Sequence, residues 1–224
     1  VYSAAGDRQQ ARVVFNEAKW QVLQSPALSG VCKVYRDAIE VPSTGAVYRV
    51  LSSDAKLQQG LNPSTVIFDE LHVQPNDDLW DALTLGSGAR RDPMIVAITT
   101  AGHDLDTICG RLYMYGKRVI AGEVEDERFG FWWWEAPEGC ALDDRNAWVA
   151  ANPNLTDGLL DEEDMEVSMR QTAEMSYRRF RLNQWTRSAD SWLPAGSLDA
   201  CISDLQLERD LPVFVGVDIA LKHD

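Results

Sequence analysis

Two adjacent carboxylates, Asp69 and Glu70, close the apolar run Thr65-Val66-Ile67-Phe68, and Leu71 and His72 follow them. A β-branched and aromatic run of this length, entered from Leu61-Asn62-Pro63-Ser64, predicts a buried strand of a parallel sheet. Ligands of open α/β sheets sit at the carboxyl ends of the strands, where these two acids would lie. Two acids side by side at a buried strand end cost desolvation and mutual repulsion unless a cation or a reacting water uses them. The chemistry that fits is nucleotide hydrolysis of the Walker B kind. The first acid holds Mg²⁺ through its water shell and the second polarises the attacking water. The same octapeptide also reads as a strand running into an exposed acidic loop, and the residues alone leave both readings open.

Three other stretches carry chemistry-bearing types. Met94-Ile95-Val96-Ala97-Ile98-Thr99-Thr100-Ala101-Gly102 predicts a second buried strand that ends in two hydroxyls and a glycine. Near the end of the chain, Val213-Phe214-Val215-Gly216-Val217-Asp218-Ile219-Ala220 predicts another buried strand with one acid inside it. An ionised carboxylate there needs a partner, so Asp218 is either a metal ligand or a sheet-edge residue facing water. Phe129-Gly130-Phe131-Trp132-Trp133-Trp134 predicts an aromatic strand. Its rings would stack on bases or pack the edge of the core, and the absence of interleaved Arg or Lys favours packing.

The elements that position these groups follow from the pattern of the chain. Residues 1–4 predict a strand, and Asp7 an N-cap for a helix carrying Ala11, Val14, Phe15, Ala18 and Val22 that Ser25-Pro26 stops. Residues 31–51 predict a hairpin or short strands around Pro42-Ser43-Thr44-Gly45, and residues 52–60 a polar segment. Asn76-Asp77-Asp78 would cap a helix with Leu79, Trp80, Leu83 and Leu85 that ends at Gly86-Ser87-Gly88. Helices are also expected at 104–121, 145–151 and, in one long piece, 161–182. The last is acidic at its start and basic at its end, as the helix dipole favours. Alternating strand and helix is the pattern of a doubly wound sheet.

Composition narrows the function classes. At 224 residues the chain can bury one full core, with 45% apolar and 25% charged residues. No apolar run approaches the roughly 20 residues that span a bilayer. The start has neither a basic region nor a cleavage pattern and no Met, so the chain reads as beginning mid-domain. Cys32, Cys109, Cys140 and Cys201 are far apart, which points to reduced thiols rather than a zinc module. A net charge of −14 excludes a uniformly basic nucleic-acid surface. Any DNA contact must come from local clusters such as Arg90-Arg91 or Arg178-Arg179 with Arg181. There is no internal repeat and no low-complexity tract.

Five motifs in order resemble one family. They are Gly60-Leu61-Asn62-Pro63, Asp69-Glu70-Leu71-His72, Ile98-Thr99-Thr100-Ala101-Gly102, Ala151-Asn152-Pro153-Asn154-Leu155 and Arg181-Leu182-Asn183-Gln184-Trp185. The series resembles the large terminase subunit of tailed bacteriophages, and Val215-Gly216-Val217-Asp218 is similar to the first strand of that family's RNase-H-like nuclease. The resemblance implies a RecA-like P-loop NTPase sheet over residues 1–182 with its N-terminal part missing, a linker over 183–212 and the first nuclease strand over 213–224. It implies a motor that couples ATP hydrolysis to DNA translocation into the capsid and cuts concatemeric DNA in the cytoplasm of the bacterial host. The cofactors implied are Mg²⁺ with ATP as substrate, and a second divalent metal, Mg²⁺ or Mn²⁺, in the nuclease. The partners implied are double-stranded DNA, the portal protein, the small terminase subunit and further copies of the chain in a ring.

Carried over by position, Asp69 supports Mg²⁺, Glu70 activates the hydrolytic water, Thr99 and Thr100 form the coupling motif, and Asp218 is the first metal-binding acid of the nuclease. Asp224 lies near that site. Arg49 and Arg90, expected on loops near strand ends, are candidates for the arginine that acts on a neighbouring subunit's ATP. The chain departs from the family in having no Gly-x-x-x-x-Gly-Lys-Ser/Thr stretch, and it stops before the remaining nuclease acids. The expectation is therefore the central part of a longer protein, inactive by itself. Two rivals remain: a DExH-type helicase, which would need a second RecA-like domain, and an inactive adaptor that kept the fold and binds a partner.

Overall fold

The computed structural model describes residues 1–51 and 60–186, and everything below concerns those residues. The expected strand at 213–220, with Asp218, and Asp224 lie outside them.

Strand β1 (Tyr2–Ala4) leads through Gly6 to helix α1 (Arg8–Gln24). Asp7 caps the helix, its Oδ1 accepting from the backbone N–H of Gln9 (2.6 Å) and Gln10 (3.0 Å). The helix ends where Pro26 forces Ser25 into extended backbone, and the short α2 (Pro26–Ser29) follows. Three short strands come next, β2 (Lys33–Val34), β3 (Ala38–Val41) and β4 (Ala46–Val50). They pair antiparallel, and Pro42 to Gly45 make the β3–β4 turn. Strand β5 (Thr65–Asp69), helix α3 (Asp78–Gly86), strand β6 (Met94–Ile98) and helix α4 (Ile108–Ile120) complete the sheet and its cover.

The sheet order is β2-β3-β4-β1-β5-β6, with β1 parallel to β4 and β5, and β5 parallel to β6. Successive residues point to opposite faces, so the sheet feeds two cores. Ala5 and Val50 face α1 with Ala11, Phe15 and Ile39. Ala4, Leu51, Val66 and Phe68 face α3 and α4, meeting Leu79, Leu83, Ile108 and Cys109. Arg8 and Arg12 both reach Asp37 (3.1 and 2.6 Å), tying the first helix to the β2–β3 corner.

A third core lies beyond the sheet. Helices α5 (Arg145–Ala151), α6 (Glu162–Gln171) and α7 (Glu174–Phe180) surround Ala147, Trp148, Met165, Tyr177 and Leu182. No helix among the described residues is long and apolar enough to cross a membrane.

The structure corrects four expectations. Strand β6 is not buried: it is the sheet edge among the described residues, with Met94 and Ile98 each 56% exposed. An apolar run predicts a strand, but only pairing decides whether it has a neighbour on both sides. The single long helix over 161–182 is two, because Thr172 is extended and Ala173, at φ −57 and ψ 139, leaves the helical region as well. In one helix Met165 and Tyr177 would stand about 18 Å apart along the axis, whereas the break turns both into the same core. Helix α4 begins at Ile108 rather than near Asp104. Residues 104–107 form a capping loop in which Thr107 Oγ1 accepts from the Gly110 N–H at 3.2 Å. That loop lies so close that a Cβ on Gly110 would stand 2.4 Å from Leu105 Cα. Finally, residues 129–134 form no strand. They alternate inward and outward as a strand would, but Phe129, Phe131 and Trp133 stack along α4, with no neighbouring strand to bond among the described residues.

Candidate active site

The parallel register brings three strand ends to one edge of the sheet. Ala4 lies beside Phe68, Phe68 beside Ala97, and Asp69 beside Ile98. The residues just past those ends are therefore neighbours: Gly6 and Asp7 after β1, Glu70 after β5, Thr99 and Thr100 after β6. A Cβ on Gly6 would stand 2.6 Å from Val73 Cγ2, so only glycine lets the β1–α1 loop come this close to the turn after β5. Between them a cavity of about 370 Å³ is lined by Gly6, Asp7, Gln10, Glu70 and Val73.

The two acids stand in different surroundings. Asp69, at the end of its strand, accepts from Gln10 Nε2 at 2.8 Å. Among the described residues no cation pairs with it, which leaves the carboxylate available to a hydrated divalent ion. Glu70 has left-handed backbone, φ 50 and ψ 58, which for a non-glycine residue costs on the order of 1–3 kcal/mol and marks a position held by its surroundings. The one-turn 3₁₀ helix Leu71–Val73 follows, anchored by the buried Leu71. Glu70 Oε2 lies 3.1 Å from His72 Nδ1 and 3.5 Å from the Thr100 N–H.

His72 bridges the acid and the threonine pair. Its backbone N–H donates to Thr99 Oγ1 at 3.0 Å, and its Nδ1 lies 3.1 Å from the same oxygen. Thr99 Oγ1 donates onward to the Thr100 carbonyl at 2.9 Å. Burial lowers the His72 pKa from its usual value, with nearby Arg179 and His103 adding to the shift, and the partly opposing pull of Glu70 does not reverse it. The imidazole is thus neutral at pH 7. Its Nδ1 faces an obligate acceptor, Glu70, which fixes the proton on that nitrogen.

A further tie comes from the end of the described chain. Asn183, itself left-handed at φ 51, accepts from the buried Ala101 N–H at 2.7 Å and donates to the Trp134 carbonyl at 2.7 Å. Trp185 packs on Gly102, where a Cβ would stand 2.9 Å from the indole. The residues just after Thr100 are therefore joined to the segment that follows α7.

The other sequence candidates stand elsewhere. Arg49 is not on a loop: it is an exposed residue within β4, level with Tyr2 in register. Arg90 is on a loop, but its Nε donates to the Asn62 carbonyl at 3.1 Å, where β5 and β6 begin. That is the opposite edge of the sheet from the acids, about 17 Å away by strand length. Asp218 lies outside the described residues. Among those described, no three His, Cys, Asp or Glu side chains group to hold a metal ion. Mg²⁺ held by one or two carboxylates and its own waters does not require such a group.

Sequence reasoning missed Gln10, His72 and Asn183. Gln10 stands three residues after the cap Asp7, where a capping box would use it, yet its amide serves Asp69. The signals for the other two were their places inside the quoted motifs.

Comparison with known proteins gives a consistent result. A sequence model described as "Terminase large subunit, ATPase domain" matches residues 1–118, and one described as "Terminase large subunit, endonuclease domain" matches residues 123–224. The second match takes in α5 to α7, which the domain reading above assigns to the ATPase part. The large terminase subunit of Enterobacteria phage HK97 is 27% identical over 235 residues, covering 100% of this chain and 45% of that protein. Protein YmfN of Escherichia coli (strain K12) is 29% identical over 180 residues, 74% of this chain and 38% of that one. The crystal structure of the HK97 bacteriophage large terminase superposes with a TM-score of 0.70 at 28% identity, over 82% of this chain and 39% of that chain. The large terminase of a thermophilic bacteriophage shares the fold, with a TM-score of 0.54 at 11% identity over 83% of this chain and 40% of that one. This chain thus spans less than half the length of the relatives it matches. With the ATPase-domain match alone covering more than half of it, the chain belongs to the terminase large subunit family.

Proposed function

We propose that this chain forms the central part of a DNA-packaging motor that couples ATP hydrolysis to translocation and also cuts DNA. The observation that carries the reading is Glu70: a strained, left-handed carboxylate at a strand end, hydrogen-bonded through His72 and Thr100 to the end of the next strand.

Asp69, steadied by Gln10, would hold Mg²⁺, and the ion would supply positive charge against the phosphate oxygens. Glu70 is the base. With Oε2 occupied by His72 and Thr100, Oε1 is the oxygen left to take a proton from water. Any shift of Glu70 pulls on Thr99 and Thr100 through His72, and that is the coupling we assign to the threonine pair. The 224 residues hold no phosphate-binding loop, so the chain alone does not hydrolyse ATP. We assign Asp218 to the metal site of the nuclease, and Arg49 or Arg90 to action on a neighbouring copy.

The test uses the full-length protein. Glu70→Gln should abolish ATP hydrolysis and packaging while leaving the fold and DNA cutting intact, and Asp218→Asn should do the reverse. Hydrolysis by the present chain alone that Glu70→Gln removes would overturn its proposed inactivity. Full-length Glu70→Gln retaining ATPase activity would overturn the site. Single-turnover kinetics of Arg49→Ala and Arg90→Ala in the assembled ring would separate the two arginines.

A further inference from the structure

A second cavity, of about 490 Å³, meets the first at Val73 and is lined by His72, Gln74, His103, Thr107, Arg179 and Phe180 among others. Its lining contains no carboxylate, in a protein whose net charge is −14. Gln74 is only 7% exposed, and among the described residues its Nε2 is buried with no hydrogen-bond partner. The Nε of Arg179 is likewise buried and without a partner. A buried donor left unsatisfied costs on the order of 1–3 kcal/mol, and the two residues that carry these donors both line the cavity, so a small turn of each side chain would bring its donor to an acceptor inside it.

The neighbouring arginines sharpen the contrast. Arg170 pairs with Glu166, Arg178 with Glu174 (2.8 Å) and Arg181 with Asp164 (2.7 Å). Among the described residues Arg179 has no such partner, and its guanidinium rests on the Phe180 ring at 4.3 Å from the centroid. Stacking fixes a planar cation and leaves its N–H edge for a ligand. Thr107 adds nothing to the donor set, since its hydroxyl already donates to the Asp104 carbonyl at 2.8 Å.

We propose that this cavity binds a phosphate-type oxyanion, held by Arg179 and Gln74 with the imidazole of His103 at its rim. Tetrahedral oxyanions accept from several convergent N–H donors, and a guanidinium supplies the charge. Two sources offer that chemistry: free inorganic phosphate, and a backbone phosphate of DNA. His72 touches both Glu70 and the cavity, so free phosphate would be read out one side chain from the acid pair. The existence of the site does not depend on the ATPase reading, and its test involves no hydrolysis.

The experiment titrates inorganic phosphate into the 224-residue chain, following the imidazole signals of His72 and His103 by NMR and the heat of binding by calorimetry. Wild type should bind saturably. Arg179→Ala and His103→Ala should each weaken binding, the former by about tenfold or more, as expected for a charge-assisted hydrogen bond. Arg178→Ala, which breaks a different ion pair on the same helix, should leave affinity unchanged. A short DNA duplex is the second arm. If it displaces phosphate in wild type but binds poorly to Arg179→Ala, the source is DNA; if it does not compete, the source is free phosphate. His103 is exposed, so its variant keeps the test valid if Arg179→Ala misfolds. Wild type that binds neither probe, or folded variants that bind phosphate as wild type does, would overturn the proposal.

Discussion

Replacing Asn183 tests whether the end of the β6 strand is physically tied to the segment after α7. Asn183 does three things at once: it satisfies the N–H of Ala101, which is 4% exposed, it donates to Trp134, and it holds a left-handed backbone. Asn183→Ala leaves the Ala101 donor buried and unpaired, costing on the order of 1–3 kcal/mol. It also places a Cβ residue without a compensating side chain in the left-handed region, adding about 1 kcal/mol. The Trp134 carbonyl belongs to an exposed residue and finds water, so its loss adds little. The expected destabilisation is roughly 2–4 kcal/mol. Asn183→Gly forfeits the hydrogen bonds but relaxes the backbone, and should recover about 1 kcal/mol of that loss. Asn183→Asp keeps the acceptor for Ala101 and should fall between wild type and Ala. Guanidinium unfolding of the chain, followed by tryptophan fluorescence, reads these as shifts in midpoint at constant slope. Asn183→Ala within about 0.5 kcal/mol of wild type would refute the tie. Asn183→Gly proving worse than Ala would refute the role of the backbone.

Gly116→Ala gains about 1 kcal/mol of helix propensity, yet a Cβ would meet Phe131 Cγ at 2.4 Å, so overpacking of about 1–3 kcal/mol should win and lower the melting temperature. Burial holds the His72 pKa down, so below about pH 6.5 the unfolded chain takes up a proton that the folded chain refuses. Stability should therefore fall as pH drops through that value and level off below the folded pKa, with a slope of at most about 1.4 kcal/mol per pH unit. His72→Gln should flatten that part of the curve, and an unchanged slope would assign it to another group. In the full-length protein, Gln10→Ala removes the amide that steadies Asp69, and the Mg²⁺ concentration for half-maximal ATPase should rise about tenfold. An unchanged Mg²⁺ requirement would leave Gln10 with no role beyond the helix start.

What could be read from the sequence follows the range of the forces involved. The strand ending in Asp69 and the cap at Asp7 are local statements about hydropathy and hydrogen bonding, and both elements stand where the pattern puts them. The hairpin around Pro42 to Gly45 is equally local. The edge position of β6 is not local, because it depends on which strand pairs with it. Nor is the break at Thr172, since polarity continues across it and only the shared core of Met165 and Tyr177 requires the turn. In the site, the acids and threonines were legible by type. The amide of Gln10 reaches a residue 59 positions away, and the partners of Asn183 lie 82 and 49 positions upstream, distances no spacing rule spans.

The flank formed by β6 has a practical meaning for anyone handling this chain. Met94 to Ile98 contains neither charge nor proline, the devices by which natural sheets keep their borders from recruiting foreign strands. With backbone groups unpaired among the described residues and apolar side chains beside them, it is a template on which another extended segment can zip. Among the described residues this edge is open, so Val96→Lys, which sets a charge on it, should lower any association of isolated chains without touching the acids at the tip of β5.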